Sequence, residues 1–274
     1  RGRRWWRPVR IRLMNDAENE RTNEPVVAQI EDSVATIVLN RPDKLNAMNI
    51  ELLQSLLWAL REAARNEAVG VVIITGSGRA FSAGGDLDEG DEAWGGPFSE
   101  DVLKLRELME ASELLVEMPK VTIAAINGPC AGGALALACA ADLRYSAKSA
   151  VFTTAFAKVG LTGDYGGTWT LPRVVGPAKA RELYLLPERF DAKEALRIGL
   201  VSQVLADNDL MSHTRSIANQ LAAVPSGVIS GIKKNLNDGL RLPLSQLLDR
   251  EAERQVRAAR APERSGIDSN RHQK

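Results

Sequence analysis

The sequence predicts an α/β protein, on three observations. Apolar runs at residues 71–75 and Val121–Ile126 have the length of buried strands, and each delivers the chain into a glycine-rich turn. Leucines at 52, 53, 56, 57 and 60 recur at helical spacing and define one apolar face. Hydrophobic residues make up 45 % of the chain, enough for one large core with or without an appendage. Lys and Arg total 35 against 35 Asp and Glu, a balance that argues against bulk nucleic-acid binding. No run approaches the length of a transmembrane helix, so no membrane partner is expected.

Residues 1–24 read as an extension outside the core: RGRRWWRPVRIRL is basic, DAENERTNE mostly acidic, and Met14 stands between them where a start would fit. Folded sequence then opens with apolar segments at 26–30 and Val34–Leu39 around Glu31, Asp32 and Ser33, a hairpin signal. A loop, RPDKLNAMN, leads into the leucine-striped helix Ile50–Arg65, so that strand, strand, helix is the recurring unit. The strand at 71–75, an acidic glycine-rich segment at 84–97, a helix from about Ser99 to Met118 and the strand Val121–Ile126 repeat it loosely. DLRYSA and AVFTT read as short strands, and the loop-rich AFAKVGLTGDYGGTWTLPRVVG follows. Asp191 is placed to cap a helix carrying Ala192, Ala195 and Leu196. From Asn208 the pattern is helical, broken at Pro225 and Pro243, with Leu210, Ile217, Leu221, Ile229, Ile232 and Leu236 on apolar faces.

Two strand-to-glycine turns carry the chemistry. NGPCAGGALALACA, residues 127–140, opens a helix on Gly132 and Gly133, where bare backbone N–H groups meet the positive end of a helix dipole. GSGRAFSAGGDL, residues 76–87, repeats that grammar after the preceding strand. Two such turns can aim two backbone donors at one oxygen, which is how enzymes hold the enolate or the tetrahedral oxyanion of a thioester. In that order and spacing, LNRPDKLNAMN, AFSAGGDL and INGPCAGGALALACAADLRYSA resemble the enoyl-CoA hydratase/isomerase family, the crotonase superfamily, from about Pro25 to Pro262.

The resemblance implies a crotonase-like ββα spiral over residues 25–205 and a C-terminal helical trimerisation region over 206–274. It implies an acyl-CoA thioester substrate, with coenzyme A entering as part of that substrate and no bound cofactor, and a homotrimer or dimer of trimers. By the same resemblance Gly85 and Gly133 supply the oxyanion N–H groups, and Lys44, Leu45, Ala47, Ser82, Ala83, Asp86 and Leu87 contact coenzyme A. The loop-rich segment after AVFTT closes over the acyl chain. Hydratases of the family carry two glutamates, and in ungapped register this chain has Ala136 and Phe156 there. Hydration needs a base for water and an acid for the α carbon, and neither side chain supplies one. Asp164, in GLTGDYGG, is the remaining carboxylate and resembles the aspartate of ring-modifying isomerases in a V-P-D-S-G-G setting.

One carboxylate is what a double-bond isomerase requires, so isomerisation of an enoyl-CoA is the preferred reaction. Hydration of a 2-enoyl-CoA, C–C or thioester hydrolysis, and simple acyl-CoA binding are the alternatives; for Asp164 the alternative is a cap on a helix starting at Gly166 or Thr168. Carboxylates of DLDEGDE, residues 86–92, are expected on a solvated face, Tyr165, Trp94 and Trp169 as pocket or core aromatics, and His213 and His272 away from the chemistry. Two histidines and two cysteines without zinc spacing argue against a metal enzyme, and no G-x-S-x-G elbow, dinucleotide fingerprint or phosphate loop is present. Cys130 and Cys139 lie in small-residue core sequence and read as buried thiols of a reducing compartment, the cytoplasm. At the C-terminus, where family members carry an aromatic residue and a Lys-Arg pair that reach a neighbouring subunit's coenzyme A, SGIDSNRHQK offers Asn270, Gln273 and Lys274.

Overall fold

The computed structural model describes residues 11–13, 24–89 and 94–262. Met14, the Gly90–Glu92 part of the acidic loop, His272 and the tail residues Asn270, Gln273 and Lys274 lie outside the described residues. Strands β1 (Ile11–Leu13), β2 (Val26–Glu31), β3 (Val34–Leu39), β4 (Val71–Gly76), β5 (Val121–Ile126), β7 (Leu143–Ala147) and β10 (Gln203–Leu205) form a seven-stranded sheet in the order β1-β2-β3-β4-β5-β7-β10. The hairpin β2–β3 is antiparallel, and its two-residue turn places Asp32 at φ 48° and Ser33 at φ 64°. Both central residues at positive φ make the turn whose twist suits the flanking strands. From β3 onward each neighbour in the sheet is parallel. β1 pairs parallel with β2, so residues of the segment read as lying outside the core extend the sheet by an edge strand.

Every residue of β4 and β5 is buried because helices cover both faces. Alternation sends Val72, Ile74, Ala124 and Ile126 to one core, with the leucines of α1 (Ile50–Arg65). Val71, Ile73, Val121 and Ile123 face a second core with Leu210 and Ala218 of α8 (Leu210–Ala222). The single helix expected from Ser99 to Met118 is two, α2 (Phe98–Leu108) and α3 (Glu110–Glu117), joined at Met109. Their burial differs: α2 buries only Leu108, whereas α3 buries Ala111, Ser112 and Leu115. Met109 keeps helical dihedrals and donates to Leu105 at 2.9 Å, so the break marks the point where the exposed run gives way to the buried one.

A small second sheet, in the order β6 (Cys130–Ala131), β8 (Val151–Thr153), β9 (Phe190–Asp191), braces the glycine turns. Between them run α4 (Gly133–Ala140), buried along its whole length, then α5 (Gly167–Val175) and α6 (Pro177–Leu185). The glycine-punctuated segment read as loop-rich is therefore partly helical, since α5 starts on the second residue of its Gly166–Gly167 pair. Asp191 caps α7 (Ala192–Arg197) by accepting the N–H of Glu194 at 2.8 Å. The chain ends in α8, α9 (Ser226–Gly239) and α10 (Leu244–Arg260), with Pro225 and Pro243 standing at the two breaks. No helix among the described residues is long and apolar enough to cross a membrane, and none of them forms a group of three metal-ligating side chains.

Candidate active site

The turn after β4 is gripped from two sides by asparagines. Asn127 accepts the Gly76 N–H at 3.1 Å and donates to the carbonyls of Gly78 and Ala80 at 3.0 and 3.2 Å. Asn46, wholly buried, donates to Ser77 and Ala80 at 2.9 and 2.8 Å and accepts the Arg41 N–H at 2.9 Å. The chain then bridges in parallel to two neighbours, Ser82 to Cys130 and Gly85 to Met48. Met48 donates its N–H to Gly84 at 2.8 Å, and Asp86 donates to Met48 at 3.2 Å. In this pattern the flanking residues make the bonds, so the N–H of Gly85 faces away from Met48. It meets no acceptor among the described residues.

The second turn lies against the first. Gly132 adopts φ 55°, ψ −128°, a conformation closed to residues with a Cβ, and donates to Thr153 at 3.0 Å. Its bend starts α4 at Gly133, whose N–H belongs to the first helical turn and has no carbonyl one turn back. A methyl on Gly132 would stand 3.9 Å from the Gly84 Cα, so the two glycine pairs are neighbours. A methyl on Gly133 would stand 2.9 Å from Asp164 Oδ1 and from Met48 Cε, and 3.2 Å from the Tyr165 ring. Asp164, Gly133 and the Gly84–Gly85 turn thus share one centre.

The Asp164 carboxyl has Oδ1 buried without a hydrogen-bond partner, and its burial pushes the pKa up to about 6. It caps nothing: Gly166 occupies the cap of α5, without a side-chain bond, so the capping alternative fails. Tyr165 follows at φ 48° and is buried, its hydroxyl likewise unpartnered and its pKa driven up by burial and by Asp164. Its carbonyl accepts the Ser112 hydroxyl at 2.7 Å, which ties the turn to α3. Ala136 and Phe156 are both buried, and the Phe156 ring lies parallel to Tyr184, centroids 6.0 Å apart. Arg173 and Arg241 lie over the Trp169 ring on α5, 3.8 and 5.5 Å from its centroid.

The description of the enoyl-CoA hydratase/isomerase family matches residues 29–269. The chain belongs to that family. It is 42 % identical over 224 residues to a protein of Rhodobacter capsulatus named probable enoyl-CoA hydratase, covering 82 % of this chain and 85 % of the relative. It is 34 % identical over 248 residues to the 1,2-epoxyphenylacetyl-CoA isomerase of Escherichia coli, covering 90 % and 95 %. Among solved structures, a Thermobifida fusca protein named for enoyl-CoA hydratase and crystallised with acetoacetyl-CoA superposes with a TM-score of 0.81 at 30 % identity. That match covers 87 % of this chain and 96 % of the other.

In this member of the enoyl-CoA hydratase/isomerase family, the remaining candidates line two adjoining strips, 44–48 and 82–88. Ala83 donates its N–H to Leu45 at 2.9 Å, and the Ser82 hydroxyl donates to Asn46 at 2.7 Å. Lys44, Ala83 and Leu87 are exposed along this surface, Leu45 half-buried, and Lys44 pairs with Asp88 at 2.8 Å, which raises its pKa. Ser82, Ala47 and Asp86 face inward: the Asp86 carboxylate accepts from Arg41 at 2.7 Å, and Arg41 also donates to Ala47 at 2.6 Å. Arg41, Asn46 and Tyr184 escaped sequence reading. Asn46 and Arg41 sit inside the quoted LNRPDKLNAMN motif, whereas Tyr184, on a short helix far along the chain, gave no local signal. His213 lies edge-on to Tyr145 in the second core, 5.2 Å between ring centres.

Proposed function

We propose that this chain is an enoyl-CoA double-bond isomerase in which Asp164 is the single acid–base group and Gly85 and Gly133 donate to the thioester oxygen. The observation that carries the reading is the buried, unpartnered Asp164 Oδ1 beside Gly133; the family resemblance, in ungapped register, puts Ala136 and Phe156 where hydratases carry their glutamates. Asp164 takes a proton from C2 of a 3-enoyl thioester, and the electron pair moves onto the carbonyl oxygen. The two N–H groups hold that oxygen, each contributing about 3 kcal/mol to the transition state. The carboxyl then returns a proton at C4 while the double bond moves to C2–C3, without change in mass. A raised pKa suits both directions, because the group must accept and donate near neutral pH. Water addition would need a second group, and the Asp86 carboxylate is committed to Arg41.

Coenzyme A lies in this reading along Lys44, Leu45, Ala83 and Leu87, over a surface shaped from beneath by Ala47, Ser82 and Asp86. The relative crystallised with acetoacetyl-CoA supports the acyl-CoA assignment. Buried, unbridged Cys130 and Cys139 fit a reducing compartment such as the cytoplasm. A trimer or pair of trimers fits α10, which buries none of its residues.

The test is incubation with a 3-enoyl-CoA and a 2-enoyl-CoA, read by mass and ultraviolet absorbance, beside Asp164→Asn. Isomerisation predicts a conjugated product of unchanged mass, abolished in the variant, with kcat/KM rising with pH up to about 6 and level above it. Gain of one water from the 2-enoyl substrate would make the enzyme a hydratase, and release of free coenzyme A a hydrolase. Binding without turnover in wild type and variant alike would make it an acyl-CoA binder.

A further inference from the structure

Tyr184 has no part in the scheme above, yet it packs against Phe156 and against both glycines that flank the Asp164 turn, Gly163 and Gly167. Its ring lies parallel to Phe156 at an interplanar angle of 2°, and Cε1 stands 3.3 Å from where a Cβ on Gly163 would be. Its hydroxyl occupies the space into which a Cβ on Gly167 would project, and Ala136 Cβ stands 2.8 Å from that same point. Gly163 precedes Asp164, Gly167 donates its N–H back to the Asp164 carbonyl at 3.1 Å, and Phe156 Cζ reaches within 4.0 Å of a methyl on Gly132. One half-buried phenol therefore fills the space bordered by Ala136 and Phe156, where the resemblance led one to look for carboxylates, and backs the Asp164 turn from both ends.

We infer that Tyr184, stacked on Phe156, is a positioning residue that plugs this space against water and so keeps the Asp164 carboxyl from exchanging its proton with solvent between abstraction and return. The inference rests on the isomerase reading for its catalytic consequence and on the packing alone for the seal. The proton removed from C2 then stays on Asp164 and is delivered to C4 of the same substrate molecule. Burial is the sole cause of the raised Asp164 pKa, and among the described residues no charged side chain pairs with it, so water access is what sets its titration. The Tyr184 phenol, its own pKa raised by burial, Cys139 and Asp164, stays neutral.

Isomerisation run in deuterium oxide reads the seal directly. Wild type is expected to give product in which most molecules carry no deuterium, Tyr184→Ala a several-fold rise in deuterium at C4, and Tyr184→Phe the low wild-type content. Equal deuterium in wild type and Tyr184→Ala, or full exchange in Tyr184→Phe, overturns the proposal. A second readout needs no turnover: the 13C carboxyl signal of Asp164, assigned by its loss in Asp164→Asn. It should titrate near 6 in wild type and Tyr184→Phe, and shift towards the ordinary carboxylate range in Tyr184→Ala. An unchanged titration sinks the seal even where the wild type proves not to be an isomerase. If Tyr184→Ala fails to fold, Tyr184→Val, with its fold checked by circular dichroism, takes its place under the same criteria.

Discussion

A carboxyl held by burial at a pKa near 6 keeps in the folded state a proton that the unfolded chain releases near pH 4. The sign follows: the contribution to stability is complete below the unfolded pKa and is lost as pH rises through about 6. Above that, the folded protein carries a desolvation cost of up to about 3 kcal/mol. Asp164→Asn should therefore raise the melting temperature at pH 8 and leave it nearly unchanged at pH 4; an equal shift at both would remove Asp164 as the cause. The two glycines that open α4, Gly132 at its cap and Gly133 at its first position, separate fold from function in the same way. Gly132→Ala places a Cβ in a backbone conformation it cannot hold and should cost about 1–3 kcal/mol of stability. At Gly133 an added methyl meets the movable ends of Asp164 and Met48 at 2.9 Å and the edge of the buried Tyr165 ring at 3.2 Å, with no strained backbone. Gly133→Ala should thus cost less stability than Gly132→Ala, while displacing Asp164 and lowering kcat by about 10²-fold or more. A melting-curve and kinetic comparison of the two variants checks both.

At the scale of elements, what periodicity specifies was readable and what tertiary geometry specifies was not. Leucines at helical spacing fixed Ile50–Arg65, and the uninterrupted apolar runs fixed β4 and β5, because burial on one face or two imposes those patterns directly. The break at Met109 has no proline or glycine to announce it; it lies three residues before Ser112, which α3 buries against the Tyr165 carbonyl. The parallel pairing of β1 was hidden under a basic composition that reads as a tail. In the site, the glycine turns were legible because backbone donors need glycine beside them. Asn46 was quoted within a motif but its work was not, since a buried side chain joining two loops 31 to 34 residues apart leaves no local trace. Removing it strands the Ser77 carbonyl and the Arg41 N–H and leaves the Ala80 carbonyl to Asn127 alone, so Asn46→Ala should destabilise the protein by about 2–3 kcal/mol, measurable by denaturant unfolding. Because the same loop holds Met48 against Gly85, kcat/KM should fall as well.

At the scale of the whole molecule, α9 and α10 are held to the body at few points. The Lys233 ammonium donates to the carbonyls of Leu115 and Lys120 at 2.7 and 2.9 Å and pairs with Asp142 at 2.8 Å, although burial lowers its pKa. Arg254 then ties α10 back to Asn235 and Asp238 on α9. Beyond these anchors Leu236 and Leu240 of the α9 end and Leu244, Leu248 and Val256 of α10 remain 49–70 % exposed. A strongly amphipathic helix draws its stability from covering its apolar face, and among the described residues α10 buries none of its side chains fully, Leu247 and Ala258 being half-buried. Assembly with further copies supplies that cover in the proposed trimer. The double substitution Leu244→Glu, Leu248→Glu places two charges on this face without touching either core. By sedimentation equilibrium the wild-type chain should run at three or six times its own mass and the variant at one. The variant should also lose helical ellipticity, as α10 loosens once nothing covers it. A wild-type chain that sediments as a monomer with its helix content intact would mean that α10 is stable uncovered, and the trimer would fall with that result.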